Sequence, residues 1–197
     1  MVCVTRKKTS GAEVLRNYET HAADQGDYDC TILEAGSATA AAPLFFEEVT
    51  FQPCGITFVD GALKRNNPIN ELVRETNSIR AWHGREIGCI VSLGTGWTDL
   101  SEVPARLDKF LRKCVELATN SDDIADQFAK SPFGKELSNT SRYFRFSVQQ
   151  GMSALQMDDW KQTDLMDGLT NEYLGKPLTS PLIERCTESL LHPHIHS

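Results

Sequence analysis

Asp60 is the side chain in this sequence best placed to do chemistry. It follows the apolar run Ile56-Thr57-Phe58-Val59 and precedes Gly61-Ala62, a pattern that reads as a short buried strand stopped by a tight turn. In open α/β sheets, ligands gather outside the carboxyl ends of the strands. A carboxylate in that position is available as a general base, a metal ligand or an orienter of a histidine. Asp-Gly by itself most often marks a turn and nothing more.

Other candidates carry less. Ser37, in Ala35-Gly36-Ser37-Ala38-Thr39, resembles a nucleophile turn to the eye. It lacks the preceding strand and second glycine that strain such a turn, so packing is its expected role. Ser92 falls inside an apolar run and is expected to be structural. Gly94-Thr95-Gly96 follows a strand, yet Asp99 replaces the third glycine of a dinucleotide loop and no P-loop lysine follows. His192, His194 and His196 alternate at the C-terminus without a carboxylate partner, a poor basis for a metal site. His21 and His83 sit in polar stretches, and Arg6-Lys7-Lys8 is too short a basic run to hold a membrane by charge alone. The six cysteines, Cys3, Cys30, Cys54, Cys89, Cys114 and Cys186, show no C-x-x-C and no close histidine. That spacing argues against a zinc ribbon or a disulfide scaffold and for buried, reduced thiols in an intracellular setting.

These side chains need a frame. The 197 residues, 40% apolar and 24% charged, suffice for one core of ordinary size. No stretch approaches the roughly 18 apolar residues of a membrane helix, and none reads as a signal peptide. With 27 acidic against 20 basic residues and no Lys/Arg stripe, a nucleic-acid partner is not expected. Met1 to Val4 reads as strand, and residues 5–29 as loop around one edge strand near Val14 to Tyr18. Thr31 to Ala42, rich in small residues, predicts a close-packing helix that Pro43 ends.

A second helix is predicted with Asn67 as N-cap, Pro68 at its first position and Ile69, Leu72, Val73, Thr76 and Ile79 on one face. Ile87 to Leu93 is apolar on both faces, as in a central parallel strand, and strand, helix and strand between Ile56 and Leu93 predict a βαβ unit. Leu107, Phe110, Leu111, Cys114, Val115 and Ala118 form a further helical stripe that Ile124 and Phe128 continue. Tyr143 to Val148 alternates like a half-buried strand, and helices follow from Trp160 to Tyr173 and from Pro181 to Leu191. The fold class expected is α/β.

The segment from Phe58 to Pro68, FVDGALKRNNP, resembles the aspartate motif of patatin-like phospholipases, where D-G-G or D-G-A is followed by N-N-P and a helix. Arg16-Asn17-Tyr18 is similar to that family's arginine-aromatic loop. Residues 34–46, EAGSATAAAPLFF, are similar to its A-x-x-A-T-S-A-A-P-x-x-F helix, and Ile90 to Gly96, IVSLGTG, to its strand ending in S-L-G-T-G. The four segments come in the family's order. The tail with Asp159-Trp160 and Tyr173-Leu174 is similar mainly to fungal-type members.

The resemblance implies a partial three-layer α/β/α domain with a mostly parallel sheet. Residues 1–197 would be its C-terminal portion, with the motifs in 1–100 and a helical tail in 150–197. It implies a serine-aspartate acyl hydrolase of lipid catabolism in which Asp60 accepts the serine's proton. Gly61, Ala62, Asn66, Asn67 and Pro68 would support that aspartate, with no metal and no organic cofactor. A serine hydroxyl becomes a useful nucleophile only when a base within about 3 Å takes its proton. The sequence, however, contains no G-x-S-x-G elbow and no glycine-rich oxyanion loop. The expectation is therefore a chain inactive alone, its missing N-terminal half encoded upstream or lost, with poor solubility from an unpaired sheet edge. The alternative is a non-catalytic lipid-binding or interaction module. Lipid acyl esters or a membrane surface are the expected partners, and the cytoplasm, with membrane association left open, is the expected location.

Overall fold

The computed structural model describes residues 1–9, 11–20, 28–43, 45–94, 96, 121–148, 155 and 160–192. The expected helical stripe from Leu107 to Ala118 lies outside the described residues, as do His21, Thr95, Asp99, Asp159, His194 and His196. The chain divides into two compact units, Met1–Gly84 and Arg85–Ser197.

The first unit is built on a four-stranded sheet in the order β2-β1-β4-β3, from β1 (Val2–Arg6), β2 (Ala12–Leu15), β3 (Val49–Phe51) and β4 (Ile56–Asp60). All three pairings are antiparallel. Side chains alternate across a strand, and this alternation separates two faces. Val4, Leu15, Phe51 and Phe58 meet Ala38 of helix α1 (Ile32–Thr39) in the core of this unit. The Tyr28 ring stands edge-on to Phe58, with centroids 5.1 Å apart. The opposite face carries Cys3 and packs against α2 (Ala62–Arg65), with Glu71 and Glu75 of α3 (Ile69–Ser78) near the Cys3 thiol. Helices on both faces of one sheet give this unit α/β/α layering.

The capping chemistry of α1 is local. Thr31 Oγ1 accepts from the Glu34 N–H at 3.2 Å, and Glu34 Oε2 reaches back to the Thr31 N–H at 2.8 Å, a reciprocal capping box. The helix stops at Ala40, before Pro43. Its close approach to the sheet runs through Ala38 and through Thr39, whose hydroxyl donates to the Cys3 carbonyl at 2.6 Å. Gly36 and Ser37 face outward.

In the second unit, β5 (Ile90–Leu93) and β6 (Tyr143–Phe146) run parallel, Ile90 opposite Tyr143 and Leu93 opposite Phe146. Helical residues 121–130 (α4), then α5 (Pro132–Asn139), α6 (Thr163–Leu174) and α7 (Ser180–Leu191) complete it. Ser131 caps α5 through the Gly134 N–H at 3.1 Å. A Cβ on Gly134 would sit 1.9 Å from the Phe128 carbonyl oxygen, so only glycine lets α5 turn back so closely on α4.

The α/β class holds, while two finer expectations do not. Ile56 to Leu93 is not a βαβ unit among the described pairings, since β4 pairs with β1 and β3 and β5 pairs with β6. The four-stranded sheet is antiparallel, and the parallel pair is the one that contains Ile90–Leu93. An apolar run encodes that a strand is buried, not which neighbour it takes or in which direction. Likewise Ile90 and Ser92 are buried in β5 while Val91 and Leu93 are exposed, so one face is covered rather than both.

Candidate functional site

Asp60 closes β4 opposite Val4 of β1. Its own N–H donates to the Ala41 carbonyl at 3.0 Å, tying the strand end to the segment after α1. Its Oδ1 accepts from the Ala62 N–H, the first residue of α2, at 2.7 Å. Among the described residues the hydrogen bonds to this carboxylate stop at Oδ1. The group is half-buried, and burial pushes its pKa above the ordinary carboxylate value, against the opposing pull of the Ala62 N–H. Desolvation of the charged form is the larger effect.

Gly61 serves the site by its lack of volume rather than by an unusual backbone conformation. Its φ and ψ, −64° and −27°, suit any residue. A Cβ there would lie 2.1 Å from the Cys3 carbonyl oxygen, and backbone cannot move aside as a flexible side chain can. Asn66 ends α2. Asn67 is buried, and its Oδ1 accepts from the Ile69 N–H at 3.3 Å. The helix starts one residue later than its sequence suggests, with Pro68 in the cap position.

Arg16 and Tyr18 converge on Glu75 of α3. Arg16 Nε donates to Glu75 Oε2 at 2.9 Å and its terminal nitrogen to Oε1 at 2.8 Å, a bidentate pair. The two side chains are only 7% and 3% exposed. The Tyr18 hydroxyl donates to Oε2 at 3.2 Å, and burial first, then the Glu75 charge, push its pKa up to about 12. The arginine-aromatic loop thus fastens the strand β2 to α3. Apolar spacing alone hides Glu75, because it marks Ile69, Leu72, Val73, Thr76 and Ile79 as the inward face of α3. In the structure Ile69, Glu71 and Glu75 are buried and Leu72 is exposed. The one available signal was the i, i+4 spacing of Glu71 and Glu75.

A cavity of about 620 Å³ lies beside the strand end, with Thr5, Lys7, Phe46, Val59 and Leu63 among its walls. Asp60 is not part of its lining. The Thr5 hydroxyl is buried there without a hydrogen-bond partner among the described residues. Of the other serines considered, Ser37 is an exposed residue of α1 and Ser92 lies buried in β5, accepting from Arg145 at 3.0 Å. Neither sits at a strand-to-helix turn. Among the described residues no helix is long and apolar enough to cross a membrane.

No curated protein and no solved structure matches the chain. Residues 4–73 match the family model of patatin-like phospholipase. That span runs from β1 into α3 and takes in Arg16, the small-residue helix and the whole Asp60 motif, whereas Ile90 to Gly96 and the helical tail lie beyond it. A segment of the first unit is therefore similar in sequence to patatin-like phospholipases.

Proposed function

We propose that this chain is the aspartate-bearing part of a patatin-like acyl-ester hydrolase acting on lipids such as phospholipids. Asp60 takes the proton of a serine that lies outside these 197 residues. Gly61, Ala62 and the Asn66-Asn67-Pro68 turn hold Asp60 in place. The observation that carries this reading is the half-buried carboxylate at the end of β4, with Oδ1 fixed by the Ala62 N–H and a pKa raised by burial. A base is most effective when its pKa lies near the operating pH, and desolvation moves Asp60 in that direction. No cofactor enters this chemistry.

The test is ester turnover. The chain alone is expected to hydrolyse a chromogenic acyl ester at the background rate. Expressed together with coding sequence upstream of Met1 that supplies an in-frame G-x-S-x-G, it is expected to turn over, and Asp60→Asn then lowers kcat roughly 10²–10⁴-fold. Turnover by the chain alone, or an undiminished kcat in the joined Asp60→Asn protein, overturns the reading.

A second reading, lipid binding without turnover, draws on a different observation. Ile32, Leu33 and Phe46 are 82%, 78% and 67% exposed, and Phe46 also borders the cavity lined by Thr5. Sedimentation with phospholipid vesicles, combined with the absence of an upstream nucleophile, would favour it.

A further inference from the structure

The cavity beside the end of β4 carries both signs of charge around apolar walls. Pro43, Val59 and Leu63 supply aliphatic wall and Phe46 an aromatic one, and its volume of about 620 Å³ falls within the range of small-molecule sites. It adjoins the strand end closely. Val59 precedes Asp60, and Ala41, also in the wall, accepts the Asp60 N–H at 3.0 Å.

The charged members are Arg6 at the end of β1, Lys7 after it, and Glu47 and Glu48 before β3. They are not equally available. Arg6 Nε lies 2.7 Å from Glu13 Oε1, and a terminal nitrogen of the same guanidinium donates to the Tyr28 hydroxyl. Lys7 pairs with Glu48, their side chains 54% and 44% exposed. An exposed pair contributes little, so either partner exchanges the other for a ligand charge at small cost. Glu47 is exposed and makes no ion pair among the described residues.

A bare anion would meet two carboxylates beside the one available ammonium. A bare cation would use Glu47 and leave Lys7 spent on Glu48. A zwitterion uses all three groups, because a phosphate taken by Lys7 releases Glu48 to join Glu47 around a quaternary ammonium. Phe46, 67% exposed at the same rim, offers that ammonium an aromatic face.

We propose that this cavity binds a zwitterionic phospholipid of the phosphocholine type. Lys7 takes the phosphate, Glu47, Glu48 and Phe46 take the ammonium, and the tail starts against Pro43, Val59 and Leu63. The inference rests on the lipid reading above for its ligand class and adds the head group; it uses nothing of the Asp60 chemistry.

The test is calorimetric titration of the chain with monomeric dodecylphosphocholine, beside dodecyl phosphate, dodecyltrimethylammonium and dodecyl maltoside, which share its tail but carry one sign of charge or none. The zwitterion is expected to bind one to one and roughly tenfold more tightly than each of the others. Lys7→Gln and Glu47→Gln should each weaken it roughly tenfold and leave dodecyl maltoside unchanged. Leu33→Glu, on the outer side of α1, should change neither. All three positions are exposed, so the substitutions leave the core intact. Dodecylphosphocholine has no acyl ester, so this binding and the ester turnover that tests Asp60 fail independently. No binding of the zwitterion, equal affinities for the four amphiphiles, tighter binding of either singly charged one, an undiminished affinity in Lys7→Gln or Glu47→Gln, or a loss of affinity in Leu33→Glu would overturn the proposal.

Discussion

A carboxylate that is to take a proton must not be too comfortable as an anion. At Asp60 two neighbours oppose each other, since burial penalises the charge and the Ala62 N–H stabilises it. Burial wins, so the native state holds the Asp60 proton more tightly than the unfolded chain does. Stability then falls as pH rises from the ordinary carboxylate value of 3.8 through the raised native value, and the cost is complete above it. Asp60→Asn keeps an oxygen for the Ala62 N–H and removes the charge. It is expected to be at least as stable as the parent at neutral pH, with the difference closing below 3.8. Urea denaturation at the two pH values checks this, and a variant clearly less stable at neutral pH would refute it. The position of Asp60 was legible in Ile56 to Ala62. The reason for Gly61 was not, because the carbonyl it avoids belongs to Cys3, more than fifty residues earlier.

At the level of elements, the bidentate pair of Arg16 and Glu75, with Tyr18 as a third member, fixes the end of β2 to α3. Taking two charges out of water is expensive, and removing one partner strands the other. Glu75→Gln is therefore expected to cost about 3–5 kcal/mol of unfolding free energy. Replacing both residues by leucine should recover most of that, because the stranded charge goes too. A loss under about 1 kcal/mol, the range of exposed pairs, would show that the contact does not hold these elements together. Strand and helix existence was readable from local apolar content, as for Met1 to Val4, Ile56 to Val59 and Pro181 to Leu191, which fall within or overlap β1, β4 and α7. The buried face of α3 was not, because an acid becomes a core residue only when a distant arginine arrives to pair with it.

For the whole molecule, the net charge of −7 favours solubility, while large apolar side chains at the surface oppose it. Ile32 and Leu33 stand outward at the start of α1 and Phe45 and Phe46 after it, and exposed apolar surface of this kind promotes association. Leu33→Glu, which leaves Thr31 and Glu34 to cap α1, is expected to raise the soluble yield and reduce light scattering at high concentration. An unchanged yield would mean that these side chains are not what limits solubility. Composition, alternation and capping residues are local properties, and they determined by themselves that the chain is α/β, where most of its helices and strands lie and which carboxylate ends a strand. Pairing direction, the burial of Glu75 and the crowding at Gly61 are contacts between segments remote in sequence. Only the tertiary structure decided them, because local pattern records how apolar a segment is and carries no record of which segment it will face.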